Sequence, residues 1–212
     1  MNEYLEKFVN ETEANHASFE RLREYATKNK VPIIKRESLV AINCLLSLKN
    51  AKRVLEIGTA IGYSALSFVS AKADLVVDTI ERDESMYNEA IKNIKEFGMV
   101  DKVNVYFGDA LTLDLSMLKT YDAIFIDAAK AQYKKFFDRY LPFLKEDGIV
   151  ITDNILFHGC VENPQLLSKN VLGMVKKIDA YNHSLNSLEG FDTFYLDLGD
   201  GLTVTMRKKK CN

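Results

Sequence analysis

Five short apolar runs, each followed at once by a glycine or an acid, constrain this chain more than any other feature. They cover residues 53–57 before Gly58, 75–80 before Glu81, 103–107 before Gly108, 123–126 before Asp127 and 149–152 before Asp153. Near-continuous apolar strands of this kind must be covered on both faces. The intervening stretches, 84–97 and 132–144 among them, carry helical spacing. Strand alternating with helix predicts an α/β fold built on a mostly parallel sheet with helices on both faces. After Asn154 the alternation stops. Residues 165–183 read as a further helix, and 191–198 with 202–208 as a C-terminal antiparallel hairpin joined through Gly199-Asp200-Gly201.

Ahead of the first run, residues 3–28 read as helix with a break near 10–16. Apolar side chains recur at Tyr4, Leu5, Phe8, Phe19, Leu22 and Tyr25. Pro32 keeps 31–34 extended, and 37–49 reads as a second helix. The 212 residues suffice for one sizeable core, so a single domain is expected, with N-terminal helices over 1–50 and the sheet over 51–212. No apolar run is long enough to span a bilayer, and the acidic N-terminus carries no export signal. Cys44, Cys160 and Cys211 are odd in number and far apart, as reduced thiols of a cytoplasmic protein would be. His16, His158 and His183 are equally scattered, which argues against zinc. A net charge of −2 excludes nucleic-acid binding through overall charge; only local patches such as Lys35-Arg36, Lys134-Lys135 or Arg207–Lys210 are available for that.

The acids and glycines at the strand ends form two groups. The first has the chemistry expected to receive a nucleoside. Glu56-Ile57-Gly58-Thr59-Ala60-Ile61-Gly62-Tyr63-Ser64 turns from the first strand into a helix, and its glycines are expected to admit a ligand to the backbone. It lacks the GxGxxG pattern that cradles a pyrophosphate. Glu81, 23 residues beyond Gly58, suits the two ribose hydroxyls. Asp109 can accept from an adenine amino group beside the Ala110 amide. The second group is Asp127, Asp153 and Asn154, on strand ends expected to lie roughly 4.8 Å apart. Two converging carboxylates with a third oxygen donor suit a hard divalent cation, Mg²⁺ first, with Mn²⁺ or Ca²⁺ as alternatives.

The segments VLEIGTAIGYS, IERD, GDA, DAAKAQY and TDN together resemble the metal-dependent O-methyltransferase family that includes catechol and caffeoyl-CoA methyltransferases, from about residue 31 onward. The resemblance implies a class I, Rossmann-like methyltransferase fold with a seven-stranded sheet, and S-adenosylmethionine as cofactor. It implies a metal on Asp127, Asp153 and Asn154, with Lys130 as the base. It also implies cofactor contacts from Ser64 to the carboxylate and from the Ile34 backbone. Glu56, Gly58, Tyr63, Glu81, Asp109, Ala110 and Asp127 complete the expected cofactor set.

Within the family, compact size and the NILFHGCV stretch resemble the bacterial branch that methylates 5-hydroxyuridine at the tRNA wobble position. Lys35–Ser38 departs from the Pro-Glu-like turn expected in the entry loop. That resemblance makes tRNA the expected substrate, a small catechol or phenol the alternative, and a non-catalytic cofactor- or RNA-binding subunit a remote third. In 5-hydroxyuridine O4 and O5 sit on adjacent carbons, as the oxygens of a catechol do. Lys35, Arg36, Lys134 and Lys135 would then contact phosphates around the pocket. A homodimer is expected, because the apolar side chains of 3–28 need cover and the family often dimerises.

Overall fold

The computed structural model describes residues 17–164 and 167–209, together with Tyr4. Its centre is a seven-stranded sheet in the order β3-β2-β1-β4-β5-β7-β6. The strands are β1 (Arg53–Ile57), β2 (Val76–Glu81), β3 (Val103–Phe107), β4 (Tyr121–Ile126), β5 (Leu144–Asp153), β6 (Phe191–Leu196) and β7 (Leu202–Arg207). The first five run parallel; β7 is antiparallel to both β5 and β6. The expected parallel sheet closed by an antiparallel hairpin is therefore present.

The helices are α1 (Ala17–Asn29), α2 (Arg36–Leu48), α3 (Tyr63–Ala71), α4 (Glu84–Glu96), α5 (Tyr133–Tyr140) and α6 (Lys169–Asn186). Strand alternation divides the core between two faces. Val54, Ala123 and Phe125 join one cluster with Phe19, Ile42, Phe68 and Ile94 from α1 to α4. Leu55, Ile57, Ile124 and Ile126 join the other with Phe137 and Tyr181 from α5 and α6. Helices thus cover both faces, as a sheet apolar on both sides requires. Phe19 and Leu22 of α1 are buried inside this chain's own core. Their apolar character is therefore accounted for within one chain. The expected break near 10–16, with Leu5 and Phe8, lies outside the described residues.

Among the boundaries that differ from the sequence reading, two have a clear physical cause. The expected helix 132–144 is shorter, because 3-10 turns at Lys130–Gln132 and Leu141–Phe143 bracket α5. Pro142 sits in the second turn and cannot continue an α-helical ladder. The fifth strand begins at Leu144 rather than 149, and its pairing with β4 shifts register after Tyr121. Local spacing over 144–148 does not reveal a strand whose ladder partner lies more than twenty residues away.

Toward the amino ends of the strands the sheet is closed by paired polar groups. Asp78 accepts from Arg53 Nη1 at 2.9 Å, Asn104 Nδ2 at 2.7 Å and the Tyr121 hydroxyl at 2.9 Å. Asp122 accepts from the Lys52 and Arg53 amides, each at 2.9 Å, and from Lys145 at 2.8 Å. Among the described residues no helix is long and apolar enough to cross a membrane.

Candidate active site

The strand order reverses between β1 and β4, where an open α/β sheet leaves a crevice at its carboxyl ends. A cavity of about 540 Å³ lies there. Its wall includes Ile34, Gly58, Tyr63, Ser64, Glu81, Asp109, Ala110, Asp127, Lys130 and Asn154. Residues far apart in the chain, expected from strand ends or from the family resemblance, therefore meet around one space.

The β1–α3 turn meets the cavity at Gly58. Gly58, at φ +103°, packs against the β4 end, and a Cβ there would overlap the Asp127 carbonyl oxygen. The glycine is thus required by the approach of β1 to the β4–α5 connection. Gly62 caps α3 in the left-handed region at φ +82°. The turn also delivers the Ala60 amide to Glu81 Oε2 at 2.8 Å. Glu81 Oε1 accepts from the Arg82 and Asp83 amides, each at 2.8 Å. Three backbone donors hold that carboxylate rigid at the cavity wall, and its remaining lone pairs can accept from a ribose diol. Across the β3 end, Asp109 Oδ1 accepts from the Leu111 amide at 2.8 Å. Arg82 lies 3.7 Å from its other oxygen.

Behind this wall Glu56 is completely buried. Ser64 donates to its Oε1, Thr79 to its Oε2 at 2.6 Å, and Thr79 meets Thr59 at 2.7 Å. Burial pushes the Glu56 carboxyl up to about 8; the two hydroxyls oppose the rise, while Asp127 and Glu81 add to it. Glu56 supports Ser64 from behind and is absent from the cavity wall. The threonines escaped the sequence reading, although a polar residue inside an apolar strand, as Thr79 is, was a signal. Tyr63 is packed edge-on against Phe19 with centroids 6.0 Å apart and accepts from Arg23 at 3.1 Å. Through these contacts α1 supports the cavity.

At the other end of the cavity Asp127 and Asp153 end the neighbouring strands β4 and β5. Burial raises both carboxyls above the ordinary range. Lys130 opposes the rise at Asp127, and the charge of Asp127 adds to it at Asp153. Asp153 lies beneath the cavity wall. Its Oδ1 accepts from the Asn154 amide at 2.8 Å, and its backbone carbonyl accepts from the Tyr133 hydroxyl at 2.9 Å. Its Oδ2 is buried with no hydrogen-bond partner among the described residues. Lys130 donates to Asn154 Oδ1.

No cluster of three or more His, Cys, Asp or Glu residues that could hold a metal occurs among the described residues. The donor set here is two carboxylates and one amide oxygen. An orphaned carboxylate oxygen, an uncompensated pair of acids and an all-oxygen donor set fit a hard divalent cation.

At least two of the four cations of the expected basic rim have partners within the protein. Lys35 donates to the Gly199 carbonyl at 3.1 Å, and Lys134 pairs with Asp138 at 2.6 Å. The unexpected Lys35–Ser38 sequence begins α2 and anchors the β6–β7 loop, with Ser38 donating to the Leu198 carbonyl at 3.4 Å.

Comparison with known proteins agrees with this fold. The family profile described as O-methyltransferase matches residues 9–208. A caffeoyl-CoA O-methyltransferase of Populus kitakamiensis is 32% identical, covering 97% of this chain and 94% of that protein. The crystal structure of a putative caffeoyl-CoA O-methyltransferase from Staphylococcus aureus is 43% identical. It superposes with a TM-score of 0.89 over 96% of this chain and 98% of that one. An SAH-bound methyltransferase from Podospora anserina, 24% identical with a TM-score of 0.82 over 99% and 97% of the two chains, shares the fold.

Proposed function

The chain belongs to the O-methyltransferase family, and on that premise we propose that it methylates one of two adjacent oxygens on a small phenolic acceptor, assisted by a divalent cation. Methyl transfer from S-adenosylmethionine to oxygen is the reaction of its family. The observation that carries the finer reading is the pair Asp127 and Asp153, two buried acids on adjacent strand ends whose charges no cation at the site fully offsets.

Asp127, Asp153 and Asn154 would hold the cation. When bound it would offset the two carboxylates and lower the pKa of a hydroxyl placed against it. Glu81 and Asp109 would hold the nucleoside half of the cofactor and Ser64 its amino-acid end, residues that share one cavity with Asp127. Lys130, on the cavity wall beside Asn154, would take the acceptor's hydroxyl proton as a neutral amine. The acceptor oxygen forms a bond to the methyl carbon as the carbon–sulfur bond breaks, leaving S-adenosylhomocysteine. Much of the acceleration comes from holding the two reactants in line.

Two points favour a phenol over the wobble nucleoside. The curated relatives named by substrate include caffeoyl-CoA and flavonoid methyltransferases, and Lys35 and Lys134 already have partners within the chain. The nucleoside is the competing reading because 5-hydroxyuridine offers the same adjacent oxygens. The deciding experiment supplies labelled S-adenosylmethionine and Mg²⁺ with either a catechol-bearing acyl thioester or tRNA containing 5-hydroxyuridine. Label in the phenol, abolished by chelator, is the expected result. Label confined to tRNA reverses the choice of acceptor, and turnover undiminished in excess chelator removes the metal.

A further inference from the structure

Ser64 has a single hydroxyl proton, and in the ligand-free protein Glu56 accepts it. The other groups around Glu56 are no counter-charge. From β2 come the Thr79 hydroxyl and, at the strand end, Glu81; from the end of β4 comes Asp127; the β1–α3 turn contributes Thr59, bonded to Thr79. Both charged groups are acids, and the Glu56 carboxyl has no exposure to water. On the reading given above, the cofactor brings a second carboxylate to Ser64 from the cavity side. One proton cannot serve two carboxylates on opposite sides of one hydroxyl oxygen. If both were ionised, one would face a bare lone pair and the two charges would repel across a dry site.

We infer that Glu56 is a positioning residue that is a neutral acid in the cofactor complex, donating its own proton to the Ser64 oxygen so that the Ser64 hydroxyl can donate to the cofactor's α-carboxylate. The reversal needs no movement of heavy atoms, since an oxygen–oxygen contact is the same whichever atom carries the hydrogen. The proton is already on Glu56 at neutral pH, because burial has pushed this carboxyl up to about 8. Above that pH it must be taken from solvent on binding, so affinity falls as pH rises through the folded value. The inference rests on S-adenosylmethionine binding with its amino-acid end at Ser64.

The test is calorimetric titration of the full chain with S-adenosylhomocysteine and with 5′-methylthioadenosine. Both are neutral thioethers, and only the first carries the amino-acid end. Between about pH 7 and about pH 9.5 the dissociation constant of S-adenosylhomocysteine should rise about 30-fold, the linkage expected for one required proton. About one proton should be taken up per ligand at the higher pH. Methylthioadenosine should show neither effect. Glu56→Gln keeps the shape, is neutral at every pH and can donate to Ser64. It should hold its neutral-pH affinity within a few-fold throughout, which also corrects for titration of the ligand's own amino group.

Equal pH slopes for the two ligands in the unaltered protein overturn the inference without recourse to any variant. So does a slope for S-adenosylhomocysteine that persists in Glu56→Gln. Failure of the unaltered protein to bind either ligand near neutral pH overturns instead the cofactor reading on which the inference stands.

Discussion

The two ends of the sheet treat a buried acid in opposite ways. Near the amino ends, Asp78 is 1% exposed and accepts from a guanidinium, an amide and a phenol. Nearby, Asp122 lies below the usual carboxylate range although burial works against it, because Lys145 and two backbone amides outweigh burial. At the carboxyl ends, Asp153 is equally buried at 1% exposure, yet one of its oxygens has no partner. Burial raises Asp153, Asp127 and Glu56 alike. Desolvation is common to both ends; what differs is whether the chain itself supplies the compensating donors. The completed end contributes to stability; on the function proposed above, the uncompleted end is the one that receives groups from outside.

Removing an acid from each end is the sharpest way to break this contrast. The largest effect is expected from Asp127→Ala or Asp153→Ala, which should lower methyl transfer by roughly a thousandfold or more, the scale of a lost Lewis-acid contribution. Thermal melting should be unchanged or slightly raised, because two like charges no longer face each other. Retained turnover, or a large drop in melting temperature, would erase the distinction between the ends.

Asp78→Ala should do the reverse. It leaves Arg53 and Tyr121 without their shared acceptor and should destabilise the fold by about 3 kcal/mol in a urea melt. Turnover per folded molecule should be unaffected. A loss of turnover in protein shown to be folded would mean that the two ends are coupled.

The smallest effect concerns an acid that belongs partly to both classes. Glu81 is held by three backbone amides, as a structural acid is, yet it stands on the cavity wall. Glu81→Ala should weaken S-adenosylmethionine binding by about 1.5–3 kcal/mol, the scale of hydrogen bonds to a charged group. An unchanged dissociation constant would assign Glu81 wholly to the loop.

Much of this site was legible before any coordinates, for a local reason. A strand announces itself by an uninterrupted apolar run, and the residue just past that run lies at a sheet edge. Glu81, Asp127 and Asp153 were each found in this way, with Asp109 and Asn154 one residue further on. Lys130 as the base followed from resemblance to the family. The start of β5 was not legible, because residues 144–148 acquire strand character only by pairing with β4.

The chain by itself thus determined the α/β alternation, the C-terminal hairpin and the acids at the strand ends, all of which depend on neighbours a few residues away. The tertiary structure alone decided what each group is bonded to. Gly58 lines the cavity and also meets a carbonyl from the end of β4. Lys35 is turned to the hairpin loop and Lys134 to its own helix, contacts that their charges alone did not reveal. Glu56 and Ser64, eight residues apart, become one hydrogen-bonded unit only because the β1–α3 turn folds the chain back and β2 supplies Thr79. Periodicity and strand ends are written in sequence order. Donor–acceptor pairing and desolvation depend on which distant segments close over a group, and in this protein they separate the acids that hold the sheet from those left for chemistry.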